Sequence, residues 1–126
     1  MTSPTRRKVI YDTDPGVDDA MALYFALAHP AIDLVGITTT FGNVSVAQAA
    51  TNALYLTELA GHPIPVTLGV AFPWCKAPEA PPAHIHGADG LGNLGARKPV
   101  TQQLDPRASA QYIVDMARAH PGEITL

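Results

Sequence analysis

The stretch Lys8-Val-Ile-Tyr-Asp-Thr-Asp-Pro-Gly-Val-Asp-Asp-Ala-Met-Ala22 decides the fold class of this chain. Its Val9-Ile-Tyr11 segment is β-branched and aromatic, which is typical of a short buried strand. Pro15-Gly16 ends that strand, and an alanine- and leucine-rich helical pattern follows from Val17 to about Ala28. A strand that passes through a tight turn into a helix is the opening unit of a parallel α/β sheet.

Four carboxylates, those of Asp12, Asp14, Asp18 and Asp19, lie within eight residues at this strand-to-helix turn. Two unit charges about 4 Å apart repel by about 4 kcal/mol at an effective dielectric constant of about 20. The helix dipole returns only about 0.3–1 kcal/mol for each acid at a helix start. A bound divalent cation, or a raised pKa on one acid, would relieve the repulsion. The simpler interpretation is a solvated acidic turn with a helix cap.

The remaining pattern predicts a Rossmann-like open parallel sheet. The expected elements after the first helix are a strand over 31–40, a helix from Val46 to about Ala60, a strand over 64–69, a long loop from Val70 to about Thr101, a helix from Asp105-Pro106 to His120, and a strand from Gly122. Right-handed crossovers place the helices on both faces of the sheet. We expect the fold to be truncated after this fourth strand.

Composition excludes several classes of function. The net charge is −3 and no basic run extends beyond Arg6-Arg7-Lys8, so no nucleic-acid partner is expected. There is neither a G-x-G-x-x-G stretch after the first strand nor a Walker lysine, which argues against dinucleotides and P-loop nucleotides. The single cysteine, Cys75, excludes an internal disulfide. Without a signal or membrane-spanning segment, the expected location is cytoplasmic, with residues 1–7 as a disordered leader and 8–126 as the folded part.

Three stretches in this order resemble one enzyme family. They are Asp12-Thr-Asp-Pro-Gly-Val-Asp-Asp-Ala-Met-Ala22, Ile37-Thr-Thr-Thr-Phe-Gly-Asn43 and His84-Ile-His-Gly-Ala-Asp-Gly-Leu-Gly92. Together they resemble the amino-terminal portion of the inosine–uridine preferring nucleoside hydrolases, and the resemblance extends from Lys8 to Leu126. Met21 stands where the family has a branched aliphatic residue, which concerns packing and not chemistry.

The resemblance implies a calcium ion, Ca²⁺, at the bottom of a ribose pocket. Asp14 would bind the ion and act as the catalytic general base, and Asp19 would be a second, bidentate ligand. Asp18, Asn43 and His86 would bind the substrate. Carboxylate oxygens suit this hard cation, and a metal-held water gives up its proton readily. Asp12 has no clear role in this scheme. His84 is a weaker candidate than His86 for the substrate-binding histidine of the loop.

The activity implied is calcium-dependent hydrolysis of the N-glycosidic bond of ribonucleosides, which yields ribose and the free base. The partner would be a small-molecule nucleoside, with no nucleic acid or membrane involved, and the full-length protein would be a homo-oligomer, dimer or tetramer. In the family, the groups that complete the calcium shell and the pocket come from the carboxyl-terminal half. The 126-residue chain alone is therefore expected to be inactive.

Two alternatives stay open on the sequence. One is a truncated, non-catalytic domain that binds only a metal or a partner. The other is a phosphohydrolase of the haloacid-dehalogenase type, in which Asp12 would be the nucleophile and Asp14 the general acid. Activity on a phosphate monoester with magnesium would favour the phosphohydrolase. That type of enzyme, however, needs neither Asp18-Asp19 nor the histidine loop.

Overall fold

A computed structural model describes residues 5–126 of the chain. Strands and helices alternate along these residues: β1 (Arg7–Thr13), α1 (Val17–Ala28), β2 (Ile32–Thr39), α2 (Val46–Leu59), β3 (Val66–Thr67), α3 (Ala83–His86), α4 (Ser109–Ala119) and β4 (Ile124–Thr125). The strands pair in parallel in the order β3-β2-β1-β4. The open parallel α/β sheet expected from the sequence is confirmed.

The helices pack on both faces of the sheet, as predicted. Ile37 of β2 belongs to a buried cluster with Leu23 of α1 and Ala53 of α2. The preceding residue, Gly36, points to the opposite face, because successive side chains of a strand alternate. There a Cβ on Gly36 would lie 2.6 Å from Cε1 of Tyr112, a buried residue of α4. Glycine at position 36 therefore lets α4 approach the sheet closely.

The β1–β2 ladder contains one irregularity. Val9 pairs with Leu34, but the next residue, Ile10, pairs with Gly36, so Val35 is an extra residue in β2. The Tyr112 hydroxyl donates a hydrogen bond of 2.6 Å to the Val35 carbonyl oxygen. Such a bulge leaves a residue out of the ladder, and here a side chain from α4 takes up its free acceptor.

Two boundaries differ from the sequence prediction. β3 contains only Val66–Thr67, and α4 begins at Ser109 instead of at Asp105. Asp105 does not cap the helix: its N–H donates to the Val66 carbonyl at 2.9 Å, and its carboxylate accepts hydrogen bonds from Arg107. The acid-proline pair therefore belongs to the connection into the helix. The predicted loop also contains a short helix, α3, that the pattern did not indicate.

The amino-terminal boundary is shifted slightly. β1 already begins at Arg7, and the Arg7 N–H donates to the Ala31 carbonyl at 2.8 Å. Of the predicted leader, residues 1–4 lie outside the described part of the chain. No helix between residues 5 and 126 has the length and apolar character needed to cross a membrane.

Candidate active site

The candidate site lies at the carboxyl ends of β1 and β2, which are neighbours in the sheet. Asp14 follows β1, and Asn43 lies in the segment that follows β2. The Asn43 backbone N–H donates to Asp14 Oδ2 at 2.6 Å, and its side-chain Nδ2 donates to Asp19 Oδ2 at 2.9 Å. One asparagine therefore holds two of the carboxylates in a fixed relation.

Asp14 has the strongest signs of a tuned carboxylate. Burial raises its pKa above the ordinary value, the Asn43 N–H partly opposes this, and the negative charge of Asp19 adds to the rise. Gly42 leaves room for it, since a Cβ there would overlap Asp14 Oδ2. Within residues 5–126 no hydrogen bond reaches Oδ1, so this oxygen is free to take a proton or bind a ligand.

Both carboxylate oxygens of Asp19 accept hydrogen bonds from neighbouring residues. Its Oδ1 accepts hydrogen bonds from the Thr13 hydroxyl at 2.9 Å and the Tyr11 hydroxyl at 3.2 Å. Its Oδ2 accepts from the Gly16 N–H at 3.1 Å, besides the bond from Asn43. The carboxylate thus closes the first turn of α1 and also anchors the end of β1. Four donors therefore hold this carboxylate in place.

Asp18 and His86 meet at the rim of the site. The Asp18 side chain is 84% exposed, and its Oδ1 lies 3.9 Å from His86 Nδ1. The same nitrogen accepts a hydrogen bond of 3.2 Å from the Val17 N–H. A nitrogen that accepts a hydrogen bond carries no proton, so this geometry is that of a neutral imidazole protonated on Nε2. Gly16 permits the approach, because a Cβ there would lie 2.5 Å from that nitrogen.

Asp12 is separate from this group. Its Oδ1 accepts a 2.6 Å hydrogen bond from the Thr38 hydroxyl, and it lines a different cavity together with Leu68 and Ala108. Asp12 and Asp14, although two residues apart, therefore do not belong to one cluster. His84 lies exposed on α3. The four acids of the turn therefore have distinct surroundings.

A cavity of about 510 Å³ adjoins the group at Gly42. Its walls include Phe41 and Phe72 together with a run of prolines up to Pro82. The volume is within the range of small-molecule sites, which are mostly apolar with a few polar groups at one end.

The donor chemistry suits calcium only in part. Asp14 and Asp19 supply carboxylate oxygens, which this cation prefers, but it takes six to eight oxygen ligands. Nowhere in residues 5–126 do three or more His, Cys, Asp or Glu side chains form a group that could hold a metal ion. Ligation through both oxygens of Asp19 would also replace some of its four hydrogen bonds. The two carboxylates match calcium in kind but would supply only part of its shell.

Several supporting residues were missed by the sequence reasoning. Thr13 and Tyr11 position Asp19, and Asn52 connects the acidic turn to the histidine loop. The alternation of β1 could have indicated the first two, because both share a strand face close to the acids. Asn52 left a weaker signal: it is a polar residue beside the apolar stripe of Ala49, Ala53 and Leu56.

Comparison with known sequences identifies the family. The family model described as inosine-uridine preferring nucleoside hydrolase matches residues 9–126. A probable uridine nucleosidase 2 from Oryza sativa subsp. japonica is 41% identical over 98% of the chain, and the inosine-uridine preferring nucleoside hydrolase of Leishmania major is 38% identical over 95%. The chain spans 37–38% of the length of these two relatives.

Solved structures agree with the sequence comparison. A plant nucleoside hydrolase superimposes with a TM-score of 0.86 at 40% identity. The aligned region covers 94% of this chain and 37% of the chain of that hydrolase. The purine-preferring ribonucleoside hydrolase of Gardnerella vaginalis gives 0.88 at 34% identity, with 94% of this chain and 38% of its own covered. With its parallel sheet and its paired Asp14 and Asn43, the chain belongs to the inosine-uridine preferring nucleoside hydrolase family.

Proposed function

We propose that a protein containing this chain and the remainder of the family fold hydrolyses the N-glycosidic bond of ribonucleosides with the help of calcium. The observation that carries the proposal is the half-buried Asp14, fixed by Asn43 through Oδ2 with Oδ1 free of hydrogen bonds within residues 5–126. Burial and the Asp19 charge raise the pKa of this carboxyl, which makes it a stronger base than an exposed aspartate.

Asp14 acts as the general base in this proposal. Its Oδ1 takes a proton from a water molecule, whose oxygen forms a bond to C1′ of the ribose. The bond between C1′ and the base nitrogen breaks, and the base leaves with that electron pair and takes up a proton. The transition state resembles an oxocarbenium ion, as in the inverting glycosidases.

Substrate recognition is assigned to three neighbouring side chains. Asp18, exposed at the rim, accepts a hydrogen bond from a ribose hydroxyl. Asn43 lies between Asp14 and Asp19 and contacts a second ribose hydroxyl through its side-chain amide. His86, neutral with its proton on Nε2, is a hydrogen-bond donor near the sugar and the leaving base.

Asp14 and Asp19 would hold the calcium ion. When bound, the ion lowers the pKa of a water ligand and holds it in place. Asp14 and Asp19 contribute carboxylate oxygens, and the other ligands come from outside this chain. The donors that surround Asp19 hold its carboxylate in one orientation.

The experiment that tests the proposal is an assay of free ribose released from uridine and inosine by the longer protein. We expect turnover that is lost with a calcium chelator and restored by added calcium, and no activity on a phosphate monoester with magnesium. The Asp19→Asn variant should need a calcium concentration at least tenfold higher for half-maximal activity. Turnover that persists in full after removal of all metal would contradict the calcium assignment.

Three further expectations belong to this proposal. The 126-residue chain by itself should be inactive and bind calcium weakly, because it supplies only part of the ligand set. The longer protein should be a dimer or tetramer, which light scattering would measure. Its cytoplasmic location stays a prediction, open to fractionation of the producing cell.

A further inference from the structure

Asn52 of α2 uses all the hydrogen-bonding capacity of its side chain. Its Nδ2 donates to the Pro15 carbonyl at 3.1 Å and to the Asp89 carbonyl at 2.8 Å. Its Oδ1 accepts from Gln48 Nε2 at 2.9 Å and from an Arg97 guanidinium nitrogen at 2.8 Å. The side chain is fully buried, with 0% of the residue exposed. A buried amide with both donors and both acceptor positions satisfied is a specific structural feature.

The two carbonyls that Asn52 binds belong to the two segments that carry the candidate site residues. Pro15 follows Asp14 in the acidic turn, and Asp89 follows His86 by three residues in the glycine-rich loop. Asn52 is therefore a bridge between the segment that carries the carboxylates and the segment that carries the histidine. Both of its donor bonds span 37 residues of sequence.

The loop fits closely against this bridge. Gly90 has a φ of +81°, and a Cβ there would lie 2.9 Å from Asn52 Nδ2 and 2.9 Å from the Pro15 carbonyl oxygen. On the other side, Arg97 donates to Asp89 Oδ2 at 2.6 Å. These contacts leave no room for a larger residue at position 90. They also fix the loop at the point where it meets the turn.

The loop segment beside His86 is ordered by the same contacts. Asp89 Oδ1 accepts hydrogen bonds from the Leu91 N–H at 2.9 Å and the Asn93 N–H at 2.8 Å. The Gly92 N–H then donates to the His86 carbonyl at 2.8 Å. Asn52 thus binds Asp89, Asp89 orders the segment 91–93, and Gly92 within that segment binds the backbone of His86.

We infer that Asn52 is a positioning residue that holds the histidine loop on the acidic turn, so that His86 Nδ1 accepts the Val17 N–H and the imidazole proton stays on Nε2. The inference rests on the proposed function for the role of His86 in substrate binding. The positioning itself depends only on the contacts above. An apolar residue at position 52 would leave the buried Pro15 carbonyl and the partly buried Asp89 carbonyl without this donor, which costs free energy and separates the segments.

The test replaces the donor amide while its shape is kept. Asn52→Asp keeps an acceptor for Gln48 and Arg97 but places an oxygen against the Pro15 and Asp89 carbonyls. Thr57→Val is the matched control, since Thr57 is equally buried on α2 but its hydroxyl donates only to Ala53 and Leu54 of its own helix.

The readout is ¹⁵N NMR of the histidine side chains of the 126-residue chain, with the His86 signal assigned by its loss in His86→Gln. In the parent chain and in Thr57→Val we expect Nδ1 unprotonated and Nε2 protonated. In Asn52→Asp we expect a mixture of both tautomers and at least a tenfold faster hydrogen exchange of the Val17 amide. An unchanged His86 signal and Val17 exchange rate in folded Asn52→Asp would overturn the inference.

A second variant is used if Asn52→Asp does not fold, which the absence of a cooperative unfolding transition would show. Gly90→Ala pushes the same junction apart from the loop side and should give the same change at His86 and Val17. No change in folded Gly90→Ala would count equally against the inference. In the longer protein, Asn52→Asp should lower kcat more than it raises KM for a nucleoside. If the tautomer responds but no nucleoside is hydrolysed, the proposed function fails and the positioning role stands.

Discussion

Asn43 binds Asp14 at two points: its backbone N–H reaches Asp14 Oδ2 at 2.6 Å, and its side chain reaches the Asp14 carbonyl at 3.3 Å. The two residues follow neighbouring parallel strands, so the sheet itself brings them together. The contact fixes both the backbone and the carboxylate of Asp14. It leaves Asp14 with one oxygen oriented by the protein and one free for chemistry.

Replacement of the proposed base is the most direct prediction. Asp14→Asn in the longer protein should lower kcat by at least about 100-fold, because a positioned general base contributes about 10²–10⁴. Asp33→Asn, at the opposite end of β2, is the control and should retain its rate. Thermal unfolding of both variants should resemble that of the parent. Turnover of Asp14→Asn at the parent rate would refute the assignment of the base.

A charge change at Asn43 should move the pH dependence. Burial and the Asp19 charge already raise the pKa of Asp14. Asn43→Asp adds another carboxylate, which disfavours ionised Asp14 and raises its pKa further. A base must be deprotonated, so the acidic limb of the kcat/KM profile should move to higher pH and activity at low pH should fall.

The control for that experiment is Gln103→Glu, which changes the net charge equally at an exposed position outside the histidine loop. Its profile should overlay that of the parent. An acidic limb that stays in place, or moves to lower pH, in Asn43→Asp would show that Asp14 is not the group that titrates.

The glycine at position 42 should be required for the geometry of Asp14. A Cβ at this position would overlap Asp14 Oδ2, so Gly42→Ala should displace the carboxylate and lower kcat by at least tenfold. Gly95→Ala is the matched control, since a Cβ there meets no atom within 4 Å. Steady-state kinetics of the two variants would decide: equal rates would mean that the carboxylate has more freedom than the contacts indicate.

The Asp105–Arg107 pair should contribute to stability in a pH-dependent way. Hydrogen bonds from the Arg107 side chain lower the pKa of Asp105 from 3.8 to about 2. Because the pKa is depressed in the folded state, the contribution is present above the unfolded value and is lost as the pH falls from about 4 to about 2.

Asp105→Asn should therefore lower the free energy of unfolding of the 126-residue chain by up to about 1 kcal/mol at neutral pH, after solvent screening. The difference from the parent should shrink towards zero near pH 2. Urea unfolding at several pH values measures it. Glu79→Gln, in the exposed pair with Lys76, should change little at any pH. A constant deficit in Asp105→Asn would mean that the ion pair is not its cause.

The sequence predicted the elements with strong local signals. The helix bounds Val17–Ala28 agree with the structure because Gly16 and Pro30 mark its two ends. Asp105-Pro106 carried an equally strong local signal that failed, because Arg107 and the Val66 carbonyl compete for the aspartate. Capping preferences depend only on the local sequence, so they do not take such tertiary partners into account.

The candidate site was predictable where it depended on strand order. Asp14 follows the first strand and Asn43 follows the second, and these two strands are neighbours in the sheet. The roles of the site residues in catalysis and calcium binding stay predictions. Asn52 could not be found in this way, because its significance depends on carbonyls 37 residues away on both sides. Backbone acceptors have no signature in a sequence.

The extra residue Val35 determines which residues of β1 and β2 stand opposite each other beyond it. After the bulge, Asp12 pairs with Thr38 and Thr13 with Thr39. A regular ladder, in which Val35 paired with Ile10, would move every later residue of β2 by one place relative to β1, so that side chains of the core face would turn to the opposite face. Asn43 would then reach the end of β1 out of step with Asp14. The bulge at Val35, several residues before the site, therefore sets the register that brings Asn43 to Asp14.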